Sequence, residues 1–131
     1  MNIGEKLSMD DKQLVLDRIF NISREQWDTF FELAATSAGS RESADELLSI
    51  VNKLELVLPI DWPNWNRGAE LIIPDNRPMI SEANIVELIA LITLVVRADR
   101  FNEGLWEMSV ENGLISTLAL TLKSQLYTDE Q

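Results

Sequence analysis

Residues 85–96 read IVELIALITLVV, and the reading of this stretch decides the fold. Ile85, Leu88, Ile89, Ile92, Val95 and Val96 recur at intervals of three and four, the spacing that places side chains on one face of a helix. Val86, Leu91 and Leu94 widen that stripe beyond half the circumference, so the helix has to be wrapped by other elements. The β-branched tail ITLVV also suits a buried strand, but the long periodic lead-in favours a helix over about 82–97, with Ser81 as its cap. Glu87 interrupts the run, which is shorter than the roughly 18 apolar residues that would cross a bilayer.

Working outward from this segment, start signals for helices recur. Ser8 with Asp11, Ser23 with Gln26 and Ser43 with Glu46 each place a hydroxyl three residues before a side chain that can reach back to it. They predict helices over about 9–21, 24–38 and 44–57, with Gly39 as a stop after the second and Pro59 beyond the third. In PIDWPNWNRG, Asp61 is a candidate cap and Pro63 suits a first helical turn, so Trp65, Ala69 and Ile72 should share a face up to Pro74. PDNRP, 74–78, has the local chemistry of a turn or loop. After the hydrophobic segment comes a short helix over about 105–111, a break at Asn112-Gly113, and a last element from Ile115 to Leu126. That last element is helical by one periodicity and strand-like by the alternation of Leu118, Leu120 and Leu122. The expectation is an all-α single domain, residues 1–131, of five to six helices packed around 82–97. Whether the wide stripe of 85–96 is covered within the chain or by a second copy, as in a homodimer, the pattern leaves open.

Composition narrows the chemistry. The 131 residues contain no cysteine and no histidine. Disulfides, thiol catalysis and cysteine-held metals are therefore excluded, together with the usual general base. The five glycines are isolated, so there is no phosphate-cradling loop, and no S-x-x-K spacing supports a serine–lysine nucleophile. With 22 acids against 11 bases the net charge is -11, which disfavours nucleic acid and anionic membranes and favours encounter with basic partners. The acids concentrate at the two ends. Residues 1–66 hold 12 acids and 6 bases, 101–131 hold 5 and 1, and the middle is nearly neutral. The opening MNIGEKLSMDDK lacks a long apolar core of the secretory kind, so a cytoplasmic location is expected.

Three groups of residues are candidates for function. If 97–111 were one helix, Asp99, Glu103, Glu107 and Glu111 would fall four apart as a carboxylate stripe, the donor chemistry of Mg²⁺ or Mn²⁺, or else a solvated face. One stripe cannot surround an ion, Glu42, Asp45 and Glu46 are the only second set, and Gly104 interrupts it, so no metal ligand and no catalytic residue is assigned. Arg97, Asp99, Arg100 and Glu103 form the second group. The planar guanidinium suits bidentate binding of a carboxylate or phosphate, but the expected role is an internal ion-pair lock in which the arginines bind carboxylates or helix-end carbonyls and fix how the last helices dock. The third comprises Trp62, Trp65 and Trp106, which could stack on a ligand or anchor a partner, or could be core with the indole N–H satisfied.

The tract RADRFNEGLWEMSVENG, with W-x-x-G at Trp65–Gly68, resembles an uncharacterised prokaryotic family of unknown function that carries a similar R-x-D-R-F-x-E-G-x-L tract before a final helix. The likeness covers the second half of the chain and is carried by Arg97, Asp99, Arg100, Phe101, Glu103, Gly104 and Gly113. It implies a bacterial or phage origin and supplies no activity.

The leading functional expectation is a non-catalytic acidic interaction protein that docks on a basic surface of a protein partner, in the manner of inhibitor or immunity proteins. It would have no cofactor, no direct contact with nucleic acid and none with membrane. The alternatives are a carboxylate–metal hydrolase of nucleotides and a small-anion binding module at Arg97 and Arg100. The candidate binding residues are Arg97, Asp99, Arg100, Glu103, Glu107, Trp65 and Trp106.

Overall fold

The computed structural model describes residues 7–37 and 41–127. Among the described residues the secondary structure is entirely helical. Seven α-helices run α1 Met9–Phe20, α2 Arg24–Thr36, α3 Ala44–Lys53, α4 Asn66–Leu71, α5 Ile85–Ala98, α6 Leu105–Glu111 and α7 Leu114–Leu126. Two 3₁₀ segments, Arg41–Ser43 and Pro74–Glu82, join them. Both stretches that could also be read as strands, ITLVV and LISTLALTL, are helix.

Every residue from Leu88 to Val95 is buried. Helix α5 packs against α1, α4, α6 and α7, so its wide apolar stripe is covered within the chain. Its cap is not Ser81. The Asn84 side chain accepts from the Glu87 backbone N–H while the Glu87 carboxylate accepts from the Asn84 N–H, a complete capping box. Ser81 instead donates to the Pro78 carbonyl inside the 3₁₀ segment Pro74–Glu82, which replaces the loop expected at 74–78. The reason is local. Two prolines preset φ near the helical value, and short i to i+3 bonds tolerate their missing N–H groups better than an α-helix does.

Further upstream, Ser23 and Gln26 make the expected reciprocal box, and Ser8 accepts from the Asp11 N–H. The Asp11 carboxylate does not reach back but accepts from the Asp61 N–H at 3.0 Å, tying the start of α1 to the chain after α3. The Ser43 side chain makes no cap bond. Helix α3 is shorter than expected, ending at Lys53, because Glu55 takes a left-handed φ of 55° and turns the chain out of the helix. Helix α4 starts late, at Asn66 rather than after Asp61, whose carboxylate binds the Asn64 side chain instead of capping. Between Glu55 and Asn66 the chain is therefore non-helical. Gly39 lies outside the described residues.

That non-helical piece is held by one polar residue of the apolar run. The Thr93 hydroxyl, fully buried, donates to the Leu56 carbonyl at 2.9 Å and accepts from the Leu58 N–H at 3.0 Å. Buried backbone groups need such partners. Leu56, Leu58 and Ile60 point into the core, while Val57 is half-buried and Pro59 exposed. From Leu56 to Leu58 this alternation is that of an extended chain with one face inward, and the Ile60 N–H then closes a tight turn by donating to the Leu58 carbonyl at 2.8 Å.

Candidate functional site

Thr93, Arg97 and Arg100 lie four and three residues apart. The stripe of α5 that holds segment 56–60 through Thr93 thus carries two guanidinium groups at its C-terminal end. The helical turn continues past Ala98, with Asp99 N donating to Val95 O and Arg100 N to Arg97 O, which keeps Arg100 in register with that stripe. Cations are favoured at a helix C-terminus, where unpaired carbonyls accumulate.

Both arginines line a cavity of about 380 Å³ whose apolar walls are Leu58, Pro59, Ile60, Trp62 and Phe101. They also line an adjoining one of about 330 Å³ with Asn52, Val57 and Val96. The result is one two-lobed groove with the guanidinium pair between the lobes. Phe101 is 79% exposed, and its ring centroid lies 6.5 Å from that of Trp62 at an interplanar angle of 40°. Arg97 and Arg100 are exposed, and neither forms an ion pair or side-chain hydrogen bond among the described residues. The expected lock between these arginines and Asp99 or Glu103 is not what the fold builds.

Asp99 works elsewhere. Its carboxylate accepts from the Trp106 backbone N–H at 3.0 Å, satisfying a free donor in the first turn of α6 across the turn 99–104. Asp99→Ala should destabilise by about 1 kcal/mol, the usual worth of a helix-end acceptor, measured by urea unfolding. A change below about 0.3 kcal/mol would mean that solvent replaces the bond.

The structure places the remaining candidates apart from the groove. Trp65 is 2% and Trp106 3% exposed, and both are core. The Trp106 indole donates to the Ala44 carbonyl at 2.9 Å, whereas the Trp65 indole N–H is buried with no partner among the described residues. Glu103 is exposed in the turn and Glu107 lies on α6. The carboxylate stripe presupposed one helix over 97–111. Instead α5 ends at Ala98, Gly104 takes a φ of 91° that few other residues tolerate, and α6 begins at Leu105. Among the described residues no three carboxylates gather as metal ligands would.

Sequence reasoning missed segment 56–60 as part of the site, because it assigned Val57 to a helix. A signal was present: Thr93 is the one hydroxyl in the run 85–96, and a buried hydroxyl has to bind something.

The described residues thus form an all-helical fold with a two-arginine groove at one helix end. Residues 24–128 match a family of unknown function (DUF6508), and the chain belongs to that family. The match reaches well into the N-terminal half, beyond the tract that suggested the resemblance. Comparison with curated proteins and with solved structures returns no match. No helix among the described residues is long and apolar enough to cross a membrane.

Proposed function

We propose that this protein is a non-catalytic binding module that takes an anionic partner in the groove at Arg97 and Arg100. One observation carries the reading. In a chain with 22 acids and 11 bases, two exposed arginines stand without a carboxylate partner among the described residues, beside exposed aromatic surface. An acid-rich surface could have compensated them easily. Leaving them uncompensated favours recognition of charge from outside, and arginine with aromatic neighbours is the composition of binding hot spots.

The test is affinity capture from a lysate of the natural host, with the wild-type chain and with an Arg97→Gln/Arg100→Gln double variant as parallel baits. At least one stoichiometric species should be retained by the wild type and lost from the variant. The melting temperature of the variant should be nearly unchanged, since exposed substitutions are usually worth within about 0.5 kcal/mol. Replacement of either arginine by lysine should also weaken retention, because an ammonium keeps the charge but not the fork. Identical capture by both baits, with no response of either to phosphate or citrate in thermal unfolding, would remove the reading.

The charge excess supports a second reading, the acidic inhibitor- or immunity-type protein docking through its carboxylates on a basic surface. Capture would then survive the double substitution and be released between about 0.1 and 0.5 M salt, where exposed charge pairs are screened.

A further inference from the structure

We infer that the groove binds an extended acidic segment of a partner protein, whose backbone pairs with Val57 while its carboxylates engage Arg97 and Arg100. The inference rests on the binding-module reading and names the ligand that the site is shaped to take.

The Leu56 carbonyl and the Leu58 N–H both turn toward Thr93. In an extended chain the residue between them directs its own N–H and C=O to the opposite side. Consistently, Val57 N–H and C=O have no hydrogen-bond partner among the described residues. Val57 is half-buried and lines the smaller lobe of the groove. A donor and an acceptor on one residue, held in place by the buried Thr93, are the minimal edge on which another extended chain can pair. Leu56 and Leu58 are fixed from behind, so that edge is already ordered before a ligand arrives.

Charge and shape of the groove point to the same ligand. The guanidinium pair adjoins one lobe walled by Leu58, Pro59, Ile60, Trp62 and Phe101 and a more polar one lined by Asn52, Val57 and Val96, so a chain paired with Val57 would meet cationic surface with apolar and aromatic surface on one side of it. The complementary sequence places a glutamate or aspartate beside an aromatic or large aliphatic residue, the latter lying against Trp62 and Phe101. A free phosphate or small carboxylate would use the arginines but leave Val57 and both aromatic rings without a role. A basic segment is repelled by Arg97 and Arg100.

The experiment is selection of a phage-displayed random heptapeptide library on the wild-type protein, with counter-selection on the Arg97→Gln/Arg100→Gln variant. Enriched peptides should contain an acid next to an aromatic or aliphatic residue. Each selected peptide is then resynthesised with single backbone N-methyl groups, which remove one donor at a time. Methylation at one position should weaken binding at least tenfold, and methylation of its immediate neighbours should matter much less, the alternation that strand pairing imposes. Acidic peptides insensitive to N-methylation would overturn the pairing with Val57 while leaving the groove as a binding site. If no acidic peptide is enriched but inorganic phosphate shifts the arginine side-chain resonances of the wild type, the inference fails and a small-anion site replaces it. If neither a peptide nor phosphate responds, the inference and the binding-module reading fall together.

Discussion

Trp65→Ala is expected to destabilise the protein by about 3–5 kcal/mol, the range for removing a fully buried large aromatic side chain. Trp65 is among the largest side chains withdrawn from solvent, and its ring lies against Gly68, a spot that Leu94 of the hydrophobic helix also approaches. Gly68 is the other half of the same contact. A Cβ at position 68 would collide with Trp65 Cε3, lie 2.6 Å from Cζ3 and 2.8 Å from Leu94 Cδ1. Helix propensity alone would make Gly68→Ala favourable by about 1 kcal/mol. Overpacking of about 1–3 kcal/mol opposes it, and an enclosed indole ring cannot swing aside, so the net change should be destabilising. The two effects are coupled. In the Trp65→Ala background the space at 68 opens, and Gly68→Ala should become neutral or stabilising. A double-mutant cycle by urea unfolding checks this, and strict additivity of the two substitutions would refute the contact. This packing also gives the W-x-x-G spacing a physical meaning: the glycine is the floor on which the tryptophan ring lies.

Thr93→Val should cost about 1–3 kcal/mol although the two side chains are nearly the same shape, because it strands the Leu56 carbonyl and the Leu58 N–H in the core without their partner. Thr93→Ser keeps the hydroxyl and should recover most of the loss. Hydrogen exchange supplies the local readout. The Leu58 amide should lose protection in Thr93→Val, and amides in α2, distant from that bond, should change only as far as global stability does. Unaltered exchange at Leu58 would show that the hydroxyl does not hold the segment. The same variant bears on function. Val57 presents a free edge only while its neighbours are fixed, so ligand affinity should fall in Thr93→Val although no groove residue is touched.

Much of the helical architecture was legible in the sequence because its signals are local. The 3,4 spacing of Ile85, Leu88, Ile89 and Ile92 fixes the period of α5, and Ser23 with Gln26 begins α2 through bonds only three residues long. Asn112-Gly113 breaks α6 from α7, with Gly113 at a φ of 88°. Errors arose where two local signals competed. Ser81 and Asn84 are both good caps, and the choice went to the residue whose third neighbour, Glu87, could answer it. PDNRP carries turn chemistry that a 3₁₀ segment satisfies equally well.

The candidate site was half legible. Composition alone removed thiol and imidazole chemistry, and residue type marked Arg97, Arg100 and Trp62 as suited to binding, together with Trp65 and Trp106, which the fold makes core, while Phe101 was not singled out for binding. Whether arginines are locked or free depends on which carboxylates the fold brings within reach, and that is not a property of sequence spacing. Asp99 stands next to Arg100 in the chain yet is spent on the Trp106 backbone, because the turn 99–104 aims it at the start of α6. Segment 56–60 became one wall of a groove because Thr93, more than thirty residues away in sequence, anchors Leu56 and Leu58. Taken by itself, the sequence determined the helical class, the hydrophobic helix, the caps at Ser8 and Ser23 and the chemistries this protein lacks, since each follows from residue type or from neighbours within one turn. Tertiary structure alone decided which tryptophans are core and, among the described residues, which arginines lack a carboxylate partner and which backbone edge stays open, since each turns on contacts between residues far apart in the chain.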